Sequence, residues 1–377
     1  MVENARRAVG RTGLPLLVLA IGACSAGSAG SGFGGEGTAD GGAGAGGDSG
    51  TGGEIDSGSG TPPSFGQDGG GGARDASPDG SIVVTTTIYA NTDDTLYSMD
   101  PKTMAITLIG KFAGMGGATN DKSVTDVAVN AADEVFVNTE SAVYKAALPQ
   151  NAGGTVQLTK VAAIALKTGQ RFFALAFAPA GVLGPGEALV GGDGNGELWS
   201  IDPSSGATKD LGNFGTDPNN AANVLALSGD VVFYLDGANK PTGMATIRSC
   251  TKGTTTCSKT SDYLAGIDMT ALAQAFATNT PSIALLSGIY GGSATQTGSG
   301  TGFGDVFGLG AWEGSVYGFQ RGASATPPAL LSLDTTSGKG SKVSSGFTFT
   351  NGWSGAGVTT KVTVTVPPPP PPPPPPK

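Results

Sequence analysis

The side chains that could do chemistry in this sequence are carboxylates and thiols, because the chain contains no histidine. A serine or cysteine nucleophile activated by an imidazole base is therefore excluded, as is a histidine-ligated metal. Two carboxylates that meet in a pocket with separated pKa values could still act as acid and base. Such aspartates stand at predicted strand ends or loops: Asp126, Asp236, Asp262 and Asp305. Their positions favour turn and strand-capping roles over catalysis.

Two further groups of residues could bind a ligand. Four aromatic side chains could form a platform for glycans, but they lie in repeated predicted strands, which favours the core: Tyr97, Trp199, Trp312 and Tyr317. The glycine-rich stretch Gly191–Glu197 superficially resembles a phosphate or calcium loop. It lacks the lysine of the first and the full acidic ladder of the second, so a hairpin turn explains it better. The sequence therefore predicts no cofactor and no metal site.

Two of the three cysteines lie in the short polar segment SCTKGTTTC. Cys250 and Cys257 have Gly253 between them, so a disulfide could close a hairpin there in an oxidising compartment. Two unpaired thiols are the alternative. Zinc is disfavoured, since two sulfurs and no histidine would be left to bind it. The spacing predicts the disulfide.

The remaining cysteine, Cys24, follows a segment with the form of a secretory signal. Residues 1–23 begin with three arginines and continue with a short apolar core, Leu14–Ala20, that is too short to span a bilayer. The segment and its cysteine end in the letters IGAC, which resemble the lipobox of bacterial lipoproteins. An ordinary signal peptide with a chance cysteine is the alternative.

The lipobox resemblance implies that Cys24 receives lipid and becomes the mature N-terminus. A single acyl chain holds a protein only marginally at a membrane, so the several chains of a mature lipoprotein would be needed for a stable anchor. The next residue is Ser25 and not an aspartate, which by analogy with lipoprotein sorting in Gram-negative bacteria indicates the outer membrane. The resemblance thus implies a protein of the cell envelope that faces the periplasm or the cell surface.

Two segments of extreme composition flank the part that can fold. Residues 24–80 consist mostly of Gly, Ser, Thr, Ala and Asp, with too little apolar surface to offset the entropy of ordering. They predict a disordered tether that carries most of the net charge of −9, so this charge does not define an acidic binding face. Residues 367–377, ten prolines and Lys377, predict a polyproline II tail, either a stiff spacer or a ligand for an aromatic groove.

Between these segments, residues 81–366 are expected to form one domain rich in β-strands. Its apolar stretches are short, contain many Val, Leu, Phe, Tyr and Thr residues, and are separated by turn residues. Many short strands at close spacing are typical of an all-β sandwich or a closed β architecture. One helix is predicted where Asp268 can cap a segment in which Met269, Leu272 and Phe276 recur at helical spacing.

One hairpin pattern recurs along this domain. LYSMDP from Leu96, LWSIDP from Leu198 and LLSLDT from Leu330 each predict a strand that ends at an aspartate, where the chain turns back. A second kind of apolar hairpin is predicted in VAVNAADEVFVN, LALSGDVVFYL and FGLGAWEGSVYGF, and with a longer turn in LAFAPAGVLGPGEALVGG. If the units are equivalent, Leu96, Val143, Leu198 and Leu330 should occupy equivalent places around a common axis.

Together the hairpins predict four-stranded units at 89–112, 124–164, 172–214, 224–257 and 305–347. Such units at this period are typical of a β-propeller, here of about five to seven blades with one inserted helix. The stretch 263–301 fits the pattern less well and could hold a sixth blade or an insertion. The last predicted strand, TKVTVTV, could pair with the first, SIVVTTTIYA, and close the ring.

The repeats resemble the propeller-like repeats of secreted bacterial proteins that read L-Y-x-I-D-P-x-T-G, and each unit is similar to those of quinoprotein-type propellers. Quinoprotein dehydrogenases commonly have an adjacent cysteine pair against the cofactor, whereas Cys250 and Cys257 are not adjacent, which disfavours a redox function. With its lipobox and tether, the chain as a whole resembles Gram-negative envelope lipoproteins that carry such domains.

The sequence therefore predicts an envelope lipoprotein that presents a non-catalytic β-propeller for binding or scaffolding. A protein or glycan ligand at the cell surface is expected, and no nucleic acid. A polysaccharide-active enzyme with carboxylates in the central funnel is the alternative, and a solute- or metal-dependent sensor is a third. Two carboxylates in a deep central cleft would favour the enzyme, whereas a filled channel would favour binding or packing.

Overall fold

The fold is taken from a computed structural model. It describes residues 87–361, apart from 117–120, 168, 237–239, 255, 259–260, 291–299, 313–314, 323–325, 346 and 350. The predicted signal peptide, the lipidation site Cys24, the tether and the proline tail lie outside the described residues. The described part contains twenty strands and one helix, which makes the domain all-β.

The strands form five four-stranded units, and in the second to fifth units the first strand in the chain is innermost and the last is outermost. Three strands of the first blade are β1 (Ile88–Asn91), β2 (Thr95–Met99) and β3 (Ile106–Ala113). The second blade is β4 (Asp126–Val129), β5 (Val135–Asn138), β6 (Ala142–Ala147) and β7 (Gly154–Ala163). The third is β8 (Phe172–Ala178), β9 (Ala188–Asp193), β10 (Glu197–Ile201) and β11 (Thr208–Asn213).

The fourth blade contains the one helix of the described residues. It consists of β12 (Asn223–Leu235), β13 (Pro241–Thr251), β14 (Tyr263–Ile267), α1 (Met269–Thr278) and β15 (Leu286–Ile289). The fifth blade is β16 (Val306–Trp312), β17 (Ser315–Gln320), β18 (Ala329–Leu333) and β19 (Gly340–Ser345). The described residues of the stretch 263–301 thus form no sixth blade, because β14 and β15 complete the fourth blade.

A short strand near the C-terminus, β20 (Gly355–Gly357), supplies the inner strand of the first blade by pairing with β1. The inner strands then pack side by side in the cyclic order β20, β4, β8, β12, β16 and back to β20. A closed ring of five four-stranded blades is a five-bladed β-propeller. The ring joins the two ends of the domain and leaves no blade without an inner strand.

The closing strand is not the one that the sequence predicted. Of the segment TKVTVTV, only Thr360 and Lys361 are described, and both lie in a turn. The strand Gly355–Gly357 pairs with β1 and closes the ring instead, and it lies too close to the neighbouring blade for larger residues at either glycine. A Cβ atom on Gly355 would lie 2.0 Å from Oδ1 of Asp126, and one on Gly357 would lie 2.2 Å from the Val127 carbonyl oxygen.

The four reference positions of the sequence repeat are equivalent in the structure. Leu96, Val143, Leu198 and Leu330 each lie in the third strand of a blade, and each is completely buried. The pairing register with the outer strand shifts directly after each of these residues. The repeat is therefore a structural unit of the propeller, as the sequence predicted.

The aspartate turns after the third strand are also alike in three blades. The carboxylates of Asp100, Asp202 and Asp334 each accept a hydrogen bond of 2.8 Å from the amide two residues ahead. Their carbonyl oxygens accept a second bond from the amide four residues ahead, which closes the turn. That fourth residue has a positive φ, at Met104 (59°), Gly206 (71°) and Gly338 (69°).

The fourth blade departs from the predicted pattern in two places. The predicted unit 224–257 contains only β12 and β13, and β14 and β15 beyond it complete the blade. LALSGDVVFYL is not a hairpin but part of one long strand, β12, with a register shift between Leu227 and Val231. The helix α1 begins as predicted, since Oδ1 of Asp268 accepts hydrogen bonds from the amides of Thr270 and Ala271.

The junction between the fifth and first blades is held by an ion pair and an aromatic cluster. Arg321 Nη1 and Nη2 lie 3.2 and 3.3 Å from the two carboxylate oxygens of Asp93, and Ser354 donates a further hydrogen bond to Asp93. Trp353, which is completely buried, packs beside them. Its aromatic neighbours are Tyr97, Phe319, Phe347 and Phe349.

Candidate functional site

The centre of the propeller is filled. The cavity there has a volume of about 10 Å³, lined by residues of all five inner strands such as Ala128, Ala176, Val232, Leu309 and Ala356. That volume is about what one water molecule requires. A funnel that could admit a sugar chain is therefore not found at the centre of the described structure.

Two aspartates nevertheless meet at this centre, Asp126 on β4 and Asp230 on β12, and we call them the hub pair. Both are completely buried, and their carboxyl groups hydrogen bond to each other. The Asp126 carboxyl accepts hydrogen bonds from the amides of Val127 (2.8 Å) and of Leu175 on β8 (2.6 Å). Asp126 thus joins its own strand to the next inner strand.

Asp230 repeats this arrangement on the other side of the ring. Its carboxyl accepts hydrogen bonds of 2.6 Å from the amides of Val231 and of Leu309 on β16. It also accepts one from the amide of Ala356 on the closing strand. The hub pair therefore contacts all five inner strands.

Burial is the main cause of the raised pKa values of the hub pair. It raises the pKa of Asp230 to about 8. Burial, with repulsion from the Asp230 carboxylate as the second cause, raises the pKa of Asp126 well above its usual range. Two adjacent carboxyl groups titrate as a unit, and this unit keeps a proton at neutral pH.

The other predicted carboxylates are distributed as follows. Asp262 and Asp305 meet on either side of Arg248, whose Nη2 atom lies 3.2 and 3.1 Å from their Oδ1 atoms. Burial raises the pKa of Asp262 although the Arg248 charge opposes this rise. Asp236 lies in a turn, where its carboxylate accepts a hydrogen bond from the Lys240 amide (2.8 Å). Asp126 is among the carboxylates predicted from the sequence, whereas its partner Asp230 is not.

The aromatic candidates for a glycan platform are parts of the packed blades. Trp199 and Tyr317 are almost completely buried, and the Trp199 ring packs edge-on against Phe172. Tyr97 and Trp312 are partly buried against an apolar cluster. The stretch Gly191–Glu197 forms the turn between β9 and β10, held by amide hydrogen bonds to the Asp193 carboxylate. None of these residues forms an exposed platform.

An open cavity of about 410 Å³ lies beside the predicted disulfide, and we call it the blade-four cleft. The bond between Cys250 and Cys257 is present and closes the loop between β13 and β14. The cleft lies between this loop and the connector from β11 to β12. Its lining residues are Asp217, Asn219, Asn220, Asn223, Ser249, Thr251, Thr256, Cys257, Ser258 and Tyr263.

The charged side chain in the lining of the cleft, Asp217, already has hydrogen-bond partners within the protein. The Asp217 carboxylate accepts hydrogen bonds from the Asn219 amide (2.8 Å) and from the Ser249 hydroxyl (2.5 Å). Ser249 in turn accepts one from the Asn223 side chain (2.7 Å). These contacts hold the connector against β13 and fix the floor of the cleft.

Several neutral groups of the cleft are free to bind a ligand. Within the described residues, the Asn219 side chain, the Asn220 Nδ2 group and the Tyr263 hydroxyl have no hydrogen-bond partner. The same holds for the Thr251 hydroxyl. Asn219 and Asn220 are exposed. The lining that the structure describes includes no lysine or arginine. The cleft therefore fits an uncharged ligand with many hydroxyl groups better than a phosphate or a carboxylate.

The described residues show neither a metal site nor a membrane span. No cluster of three or more Cys, Asp or Glu side chains there is arranged to hold a metal ion. Within the same ranges, no helix is both long enough and apolar enough to cross a bilayer.

Comparison with known proteins gives no family. No family model matches the sequence, and no curated protein matches it either. Solved structures that match include a Bacteroides thetaiotaomicron protein of unknown function, with 14% identity, a TM-score of 0.37 and coverage of 76% of this chain and 63% of that one. A Bacteroides caccae protein of unknown function matches with 9% identity, a TM-score of 0.35 and coverage of 73% and 98%. The Dos1 propeller matches with 12% identity, a TM-score of 0.31 and coverage of 67% and 54%.

Proposed function

We propose that this chain is an envelope lipoprotein whose five-bladed propeller is a non-catalytic binding module. The blade-four cleft is its ligand site, and an uncharged, hydroxyl-rich molecule such as an envelope glycan is its ligand. The proposal rests on one difference. The blade-four cleft is open and has a volume of about 410 Å³, whereas the cavity at the centre of the propeller has a volume of only about 10 Å³.

The chemistry of the cleft supports a glycan ligand. Asparagine side chains and hydroxyl groups can donate to and accept from sugar hydroxyls, and Tyr263 adds an aromatic ring. A volume of this size lies within the usual range for small-molecule sites. The cleft lies on strands and on a loop fixed by a disulfide, so little ordering is needed when a ligand binds.

Features outside the cleft support a location of the protein in the cell envelope. The letters IGAC before Ser25 resemble a lipobox, and the Gly-rich segment after them suits a tether. A disulfide between Cys250 and Cys257 is expected of a protein that matures in an oxidising compartment. The polysaccharide-active alternative finds no site at the centre, where the two carboxyl groups that meet are inaccessible and bonded to backbone amides.

A binding experiment with the detergent-purified full chain tests this function. We expect retention of envelope polysaccharide on the immobilised protein and binding to a glycan array. The double variant Asn219→Ala/Asn220→Ala should weaken binding at least tenfold, because it removes exposed ligand contacts without touching the core. The matched control is Asn195→Ala, which removes an exposed asparagine from the turn of the third blade. Equal binding by both variants would contradict the assignment of the cleft.

The anchor is tested separately by Cys24→Ser. We expect this variant to leave the membrane fraction, because the lipid is attached to that thiol. Membrane fractionation followed by immunoblotting measures the distribution. A variant that stays in the membrane fraction would show that the lipobox interpretation is wrong.

A further inference from the structure

The hub pair accounts for contacts that no other side chains of the described centre make. Asp126 connects β4 to β8, and Asp230 connects β12 to β16 and to the closing strand β20. The bond between the two carboxyl groups then connects these two sets across the axis. Apolar contacts also join the five inner strands, and the pair adds directional bonds that reach all five of them.

We propose that the hub is a binding site for one proton, which acts as a structural ligand that ties the five inner strands together. With this proton, one carboxyl group donates a hydrogen bond to the other. The remaining oxygen lone pairs accept from the backbone amides. The proton is taken from water on folding and returned to water when the hub ionises, so no other reactant is needed.

The surroundings of the pair explain why one proton is held. Without a proton, two carboxylates would face each other in an apolar centre with no cation to compensate them. A second proton would find no acceptor, because each carboxyl group already faces amide donors from its own strand and from a neighbouring strand. One shared proton satisfies every group.

The groups that face the pair from other elements do not titrate. The strands β8, β16 and β20 present backbone amides to the carboxyl groups. The Thr246 hydroxyl of β13 accepts from the Asp230 amide and donates to the Val306 carbonyl oxygen. An ionised cluster surrounds Arg248, which contacts Ser228 on β12 as well as its two aspartates. The bound proton is therefore a property of the pair.

The sign of the pH dependence follows from proton uptake on folding. An unfolded aspartate ionises near pH 4, whereas the folded hub keeps its proton up to about pH 8, the raised pKa of Asp230. The folded state thus binds one more proton than the unfolded state within this window. The stability that the proton provides is complete below the window and is lost as the pH rises through it.

Chemical denaturation of the full chain between pH 6 and pH 8 tests the proposal. The unfolding equilibrium constant should rise about tenfold per pH unit through the hub proton. The double variant Asp126→Asn/Asp230→Asn should remove that part of the dependence, because no carboxyl group then remains at the hub to bind the proton. The variant Asp236→Asn, outside the hub, is the control and should keep the dependence. An unchanged slope in the double variant, or a hub contribution of a hundredfold per unit, would overturn the one-proton site.

A spectroscopic measurement covers the case in which the double variant Asp126→Asn/Asp230→Asn does not fold. The infrared spectrum of the folded full chain at pH 7 should contain the carbonyl band of one protonated, buried carboxyl group. This band should disappear as the pH is raised above 8. A spectrum without the band would show that the hub is fully ionised and would refute the proposal, whatever the fate of the variant.

Discussion

The hub and the blade-four cleft are both polar regions supported by the fourth blade, yet they are built in opposite ways. Asp230 at the hub is surrounded by backbone amides of neighbouring blades and shares its proton with Asp126. In the cleft, Asp217 is similarly occupied, but the Asn219 side chain and the Asn220 Nδ2 group beside it have no hydrogen-bond partner within the described residues. The comparison teaches that a carboxyl group in a propeller indicates function less well than unpaired neutral groups beside an open volume.

The largest expected effect comes from removing one member of the hub pair. Asp230→Ala should lower the free energy of unfolding by about 3–5 kcal/mol, because it leaves buried amides and the second carboxyl group without a partner. Asp217→Ala in the cleft should cost only about 1–2 kcal/mol. Urea denaturation of the full chain measures both values. Similar losses would show that the two aspartates do not differ as the structure indicates.

The next effect comes from removing the disulfide, which supports the blade-four cleft but not the hub. Replacing Cys250 and Cys257 by serine should cost about 2–3 kcal/mol, because the unfolded chain regains the freedom of a short closed loop. The ligand affinity of the cleft should fall as well, since Cys257 lines it. The pH dependence between pH 6 and pH 8 should not change. A changed pH slope in the serine variant would mean that the cleft and the hub are coupled.

The smallest effect concerns the exposed carboxylate of Asp202, whose pKa is lowered, whereas the pKa values of the hub pair are raised. Hydrogen bonds from Ser204 lower the pKa of Asp202 to about 2. Its contribution to stability is therefore present above pH 4 and is lost as the pH falls through 2. Asp202→Asn should reduce this acid dependence and leave the neutral range unchanged. Thermal melts at pH 2 to 5 measure it, and equal acid dependence in both proteins would contradict the assignment.

The sequence predicted much of the fold because its signal is local and repeated. The turns at Asp100, Asp202 and Asp334 are each determined by a few neighbouring residues, so the sequence motif alone predicts them. The closing strand Gly355–Gly357 could not, because its small residues are required by the adjacent blade and carry no β propensity of their own. A requirement imposed from another blade leaves no local pattern.

The candidate sites were harder to predict for the same reason. Asp230 lies in LALSGDVVFYL, where Ser-Gly-Asp indicates a turn, but β12 continues through a register shift. Its partner Asp126 is far away in the chain, and only closure of the ring brings them together. The cleft depends on how the connector that carries Asn219 and Asn220 lies beside the disulfide loop. Neither arrangement is contained in a short segment.

The position of β20 in the chain has a consequence for biosynthesis. The strands of all five blades precede Gly355–Gly357 in the chain, so β20 can reach β1 only after they have been synthesised. Until then Asp230 lacks the Ala356 amide, and the first blade has no inner strand. The ring therefore closes only after the fifth blade has been made, and a chain cut short before Gly355 retains an open edge on β1 to which another polypeptide can add.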